Sequence, residues 1–202
     1  MLHSPQISRH HASLILIFLS LGLWATRFHH FGPLPDASWA IFFVGGWLLA
    51  RRLRWAFAGL LVPAVAIDWI ATSHMGVSDY CLSPAYAFIL PGYFALWAGG
   101  AGLKRLADGR RRDWLWLAVL LPASVTLAFL ITDASFYWLS GQVKEQSLTL
   151  YLANAARWYP GFLQTTTLYA LPVFAGLAGW RTLARGGEAG AENRFQDGEI
   201  HR

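Results

Sequence analysis

The chain has 202 residues, of which 55% are hydrophobic and only 13% charged, with a mean hydropathy of +0.38. Soluble domains carry about 25% charged residues, so this composition excludes an ordinary soluble globule, a nucleic-acid binder and a disordered chain. The formal charge of +5 and the pI of 9.7 therefore need explaining by where the basic residues fall, since membrane proteins concentrate Lys and Arg in cytoplasmic loops.

A bilayer-crossing helix needs roughly 20 mainly apolar residues, and six stretches approach that. The first runs from Ala12 to Thr26. With only Arg9 as a basic n-region and no A-x-A site before Arg27, it reads as a retained helix rather than a cleaved signal peptide. The second, Ala37–Ala50, is short but extendable through Leu53. The third covers Trp55–Thr72, the fourth Pro84–Leu103, the fifth Trp114–Leu139 and the sixth Tyr159–Leu183. Unpaired backbone is too costly in lipid for anything but helices or closed barrels, and these runs are too long and too uniformly apolar for barrel strands. The expected fold is an all-α integral membrane protein with six transmembrane helices. It forms one domain over 1–185, followed by a Gly- and Glu-rich cytoplasmic tail over 186–202 that reads as a solvated end.

The basic residues sort by side. Arg27, Lys144 and Arg157 fall in the odd-numbered connections, and the other thirteen of the 16 fall at the termini or in the even-numbered connections. The positive-inside rule then places both termini in the cytoplasm. The high pI is an address on the membrane, not a nucleic-acid surface.

The chemically capable residues gather on the opposite side. The first external connection, 27–36, holds Arg27, His29, His30 and Asp36. The second, 73–83, holds His74, Asp79, Tyr80 and Cys81. The third, 140–158, ends in Asn154, Arg157 and Trp158. This asymmetry points to a site open to the outside. Two carboxylates lie inside spans, Asp68 near the outer end of the third and Asp133 in the outer half of the fifth, and intramembrane carboxylates are functional candidates by default. Pro63, Pro91, Pro122 and Pro172 interrupt spans three to six, where proline often marks a cavity-opening kink. Gly45–Gly46 and Gly99–Gly102 allow close helix packing.

Cys81 is the single cysteine, so no internal disulfide and no multi-thiolate zinc site exists. One thiolate does not hold a bare ion tightly, but it can be an axial ligand to a metal already held in a macrocycle such as haem or a corrinoid. No C-x-x-C-H haem attachment motif is present.

The segments R-F-H-H-F-G-P-L-P-D-A-S-W-A-I-F-F-V-G-G from Arg27, A-I-D-W at 66–69, S-D-Y-C-L-S-P-A-Y at 78–86 and W-Y-P-G-F-L-Q-T-T at 158–166 resemble the BtuM family. These are small bacterial membrane proteins related to the substrate-binding S-components of energy-coupling-factor (ECF) vitamin transporters. The resemblance covers roughly residues 27–183. It implies uptake of vitamin B12 (cobalamin) and related corrinoids across the inner membrane, with the corrinoid bound near the periplasmic surface and Cys81 as the axial ligand of its cobalt. It further implies His29, Asp68, Tyr86 and Arg157 around the ring, with His30, Asp79 and Tyr80 beside them. Thiolate donation to cobalt favours loss of a cyanide on the opposite face, so Cys81-dependent decyanation of cyanocobalamin is a second expectation. The first helix offers Ala12, Ser20, Gly22 and Ala25 but no A-x-x-x-A docking surface for an ECF-type energising module, and the chain has no Walker A sequence.

Three other readings of the same residues are a transporter of another vitamin or of a bare nickel or cobalt ion held by His29, His30, His74 and Asp79; a thiol oxidoreductase, which lacks a resolving cysteine; and a ligand-free membrane subunit.

Overall fold

The computed structural model describes residues 8–27, 35–75, 83–109 and 111–200. Among these the chain is all helical: α1 (Arg9–Arg27), α2 (Ser38–Leu49), α3 (Leu53–His74), α4 (Ile89–Leu106), α5 (Arg112–Leu139) and α6 (Leu148–Ile200), with short 3-10 turns at Ala50–Arg52 and Pro84–Phe88. Every apolar stretch of the sequence became a helix.

Three helical stretches, Trp55–His74, Pro84–Leu106 and Asp113–Leu139, are long and apolar enough to cross a membrane. Their outward faces are apolar, with Trp55 83% exposed and Leu115 69%. On α1, Leu14, Ile17, Phe18 and Leu21 form another exposed apolar stripe at helical spacing. Exposed apolar surface on this scale belongs against lipid rather than water, and the chain is a membrane protein by this measure.

The second apolar stretch differs from its expectation. α2 stops at Leu49, and the Ala50–Arg52 turn breaks it from α3. Its 12 residues rise only about 18 Å, less than the roughly 30 Å of a hydrocarbon core. Every residue of α2 except Trp39 and Leu48 is buried, as expected of a helix apolar all round. α2 is thus the core helix of the bundle.

Small residues explain how α2 fits there. A Cβ on Gly46 would lie 2.1 Å from the Trp97 carbonyl oxygen, and one on Gly100 would lie 1.9 Å from that of Phe43. At these points α2 and α4 meet backbone to backbone, the close packing expected of both glycine pairs. Around the seam, Trp47, Trp97, Phe42, Phe43 and Tyr93 are fully buried, and Phe42 stacks on Tyr93 at 4.0 Å. On the far side of α3, Leu16 of α1 fits the notch at Gly59.

The prolines do not break the helices. Pro63, Pro122, Pro160 and Pro172 lie inside continuous helices. Pro91 falls in the first turn of α4, where its missing N–H has no intrahelical partner to lose. α6 starts at Leu148, so Asn154, Arg157 and Trp158 lie on a helix and not in the connection expected to extend to residue 158. Ser147 accepts from the Leu150 N–H through Oγ at 3.2 Å and serves as the N-cap.

The two ends of the bundle differ chemically. At one end, Arg51, Arg52, Lys104, Arg105 and Arg112 flank the α2–α3 and α4–α5 junctions. Lys104 Nζ donates to the Leu48 carbonyl at 2.9 Å, holding the end of α4 to the end of α2. The buried Asp113 carboxylate accepts from the backbone N–H groups of Asp108 and Gly109, both at 3.1 Å, fixing the α4–α5 turn. The opposite end carries the candidate site.

Candidate functional site

Four helices bring polar side chains together at this end. Arg27 is the last residue of α1, where a cation suits the helix dipole. Asp68 lies in the last two turns of α3, Asp36 just ahead of α2, and Tyr86 in the 3-10 turn leading into α4. Tyr93 is in the second turn of α4, held by its stack on Phe42.

Arg27 is the hub. Its Nε donates to Asp68 Oδ1 at 2.7 Å and its Nη2 to Asp68 Oδ2 at 2.6 Å, the two-bond fork that guanidinium and carboxylate geometry favour. Its Nη1 lies within donating distance of Tyr93 Oη (2.6 Å), Ser38 Oγ (2.7 Å) and Asp36 Oδ2 (3.1 Å). Tyr86 Oη donates to Asp68 Oδ2 at 2.6 Å. Asp36 Oδ1 accepts from both the N–H and the hydroxyl of Ser38, at 2.8 and 2.5 Å, which places its charge at the N-terminus of α2. The Arg27 side chain is 9% exposed and that of Asp68 20%, so the ion pair is largely withdrawn from solvent.

This geometry commits Asp68 to Arg27 and Tyr86. Three of the roughly four lone-pair positions of a carboxylate are used. Within the described residues, Asp68 therefore orients the Tyr86 hydroxyl and the Arg27 guanidinium rather than standing open to a ligand.

The cluster also has a definite place in the chain. Arg27 immediately precedes segment 28–34 and Asp36 closely follows it. Asp68 lies in the helix leading to segment 76–82, and Tyr86 closely follows that segment. The ion pair thus ties the anchor points of both segments together. His29, His30, Asp79, Tyr80 and Cys81 lie on these segments, outside the described residues.

Of the sequence-derived site residues that are described, Asp68 and Tyr86 come together and Arg157 does not join them. Arg157 is exposed on α6, with its guanidinium 5.5 Å from the Trp158 ring. His74 ends α3 with its ring 5.2 Å from that of Trp69. Among the described residues no group of three or more His, Cys, Asp or Glu could hold a metal ion. Sequence reasoning placed Arg27 and Asp36 in a connection and did not single out Ser38 or Tyr93. The available signal was the pairing rule itself: an Arg and an Asp near the C-terminal ends of two apolar helices are each expensive alone and seek one another.

A shallow groove of about 660 Å³ runs along one face of α6, between Pro160 and Pro172. It is nearly all apolar and is formed by a single helix, the character of a lipid-facing surface.

No protein-family model matches this chain, and no protein of curated function matches it in sequence.

Proposed function

We propose that this protein takes up vitamin B12 and related corrinoids across the bacterial inner membrane. In this reading the six helices form one membrane domain, with the short α2 carrying the chain across inside the bundle and the other five spanning the bilayer, both termini lie in the cytoplasm, and the corrinoid binds at the periplasmic end with Cys81 on its cobalt. The observation that carries the reading is the Arg27–Asp68–Tyr86 cluster. A bundle of apolar helices gathers a buried Arg–Asp–Tyr network at this end, bracing the anchor points of the segments bearing His29, His30 and Cys81. The basic residues at the other end support the orientation through the positive-inside rule. A single thiol suits a large, flat, partly polar ligand that brings its own metal.

The test is optical. Wild type and Cys81→Ser are expressed with cyanocobalamin, purified, and their visible spectra compared. A coloured wild type lacking the cyano-form bands, with the colour lost or altered in Cys81→Ser, is the expected result. It would report thiolate ligation and cyanide loss together. A colourless wild type sinks the corrinoid reading, and binding of nickel or cobalt ions without a macrocycle would point to a metal-ion transporter.

A further inference from the structure

We propose that this protein pairs with a second copy of itself along α6, with the Gln164 amides of the two copies hydrogen-bonded to each other inside the bilayer. α5 is long and apolar enough to cross a membrane over the 27 residues Asp113–Leu139, and α6 packs along it. Tyr137 of α5 meets Tyr151 of α6 with ring centroids 5.3 Å apart. Phe129 meets Tyr159 at 5.4 Å, and Thr126 Oγ1 meets Tyr159 Oη at 2.7 Å. The two helices therefore run antiparallel, and Tyr159 stands level with Thr126, the middle residue of that stretch. Gln164 lies one and a half turns further along α6. By helix rise that is about 8 Å from the middle of a span about 40 Å long, which leaves roughly 12 Å to the nearer end.

A bare amide is out of place at this depth. Gln164 is exposed, and among the described residues its side chain has no hydrogen bond. Hydrocarbon holds no water to meet it, and an unmet amide there is costly. The side chain is also too short to reach the headgroups, as a lysine or arginine can.

The surface around Gln164 is open to a neighbour. It lines the groove between Pro160 and Pro172. Gly161, Gln164, Leu168, Leu171 and Ala175 form one exposed stripe at helical spacing. The opposite face of α6 is already occupied: Thr166, Ala170 and Phe174 are buried, with Phe174 against Trp47 of α2. A Cβ on Gly161 would meet nothing within 4 Å, so a second helix can approach closely there.

The polar group selects the occupant. A carboxamide both donates and accepts, so it is complementary to another copy of itself. A two-fold axis along the bilayer normal sets the two α6 helices side by side and parallel, Gln164 facing Gln164. Each amide N–H then donates to the carbonyl oxygen of the other, and both groups are met. Such an interface is self-complementary and closes at two copies. Lipid chains would fill the groove but leave the amide unmet, and the stripe carries no charge that calls for a charged partner. The pairing rests on the depth of α6 beside α5, not on the corrinoid reading.

The test therefore uses the full chain without corrinoid. Light scattering in a mild detergent should give the mass of two chains. Gln164→Leu removes the amide and keeps the bulk, and should raise the dimer dissociation constant roughly 5- to 30-fold. Gln164→Asn keeps an amide and should lose less. In isolated membranes, Leu168→Cys in a Cys81→Ser background should crosslink to a second copy on oxidation with copper phenanthroline. Val62→Cys, on α3, should not, although residues 62 and 168 are similarly exposed, at 66% and 60%. Crosslinking leaves Gln164 in place, so it decides the matter even if Gln164→Leu does not fold. A wild type that is a single chain by mass, with no crosslink at 168, overturns the proposal. So does a dimer unchanged in Gln164→Leu, equal crosslinking at 62 and 168, or a different protein bound in place of the second copy.

Discussion

Arg27 and Asp68, 41 residues apart in sequence, meet through two hydrogen bonds of 2.7 and 2.6 Å, joining the end of α1 to the C-terminal part of α3. The same guanidinium reaches Asp36, Ser38 and Tyr93. One side chain thus links four helices at one end of the bundle.

Removing one member of a withdrawn ion pair leaves the other charge uncompensated. Arg27→Ala strands Asp68 and Asp36 together, and with both still partly solvated the expected cost is about 2–4 kcal/mol. Arg27→Lys keeps the charge but not the planar fork and should lose about half as much. Thermal unfolding in detergent ranks the two. Equal stability of wild type and Arg27→Ala would refute the bracing role.

Tyr86→Phe removes one hydrogen bond to a charged acceptor and little else. A loss of about 1.5 kcal/mol is expected. In an Asp68→Asn background the same change should cost less, because the bond is then to a neutral amide. A double-mutant cycle reads this coupling directly, and additive losses would mean that the charge on Asp68 does not strengthen its bond to Tyr86.

The helix seam makes a sharper forecast. Gly46→Ala and Gly100→Ala each drive a methyl into the backbone of the facing helix, which cannot swing aside as a side chain can. Each should cost more than about 3 kcal/mol or prevent folding. Gly161→Ala and Gly176→Ala meet nothing within 4 Å and should be neutral or stabilising by about 0.5–1 kcal/mol. Expression yield and unfolding midpoint separate the two pairs.

Orientation is testable by labelling. In a Cys81→Ser background, a cysteine introduced as Arg51→Cys should react with an impermeant maleimide only after cells are opened. One introduced as Lys144→Cys should react in cells whose inner membrane is intact. The reverse pattern would invert the proposed topology.

The helices were legible because apolar runs of this length have few other solutions in lipid. α2 was legible as a helix but not as a core element, because a window that sums hydropathy cannot distinguish lipid from protein as the apolar neighbour. The start of α6 was missed for the opposite reason. Residues 148–158 mix exposed Leu148, Leu150 and Leu152 with Asn154 and Arg157, too polar for a span, and the Ser147 cap was the only local sign. Asp68 stood out by its cost, but its partner did not. Sequence patterns show which charges need neutralising and not which chain turn brings the counter-charge, since that depends on how four helices pack 41 residues apart.

The contact between α2 and α4 has a mechanical consequence. Where two backbones touch, no side chain lies between them to change rotamer and absorb a displacement. The pair can move only as one stiff beam. Any cycle that opens and shuts the bundle must leave this beam intact and hinge elsewhere. The side-chain-cushioned joints are the Leu16–Gly59 notch between α1 and α3 and the aromatic contacts between α5 and α6. Crosslinks across those two joints should arrest such a cycle, whereas one along the α2–α4 seam should leave it running.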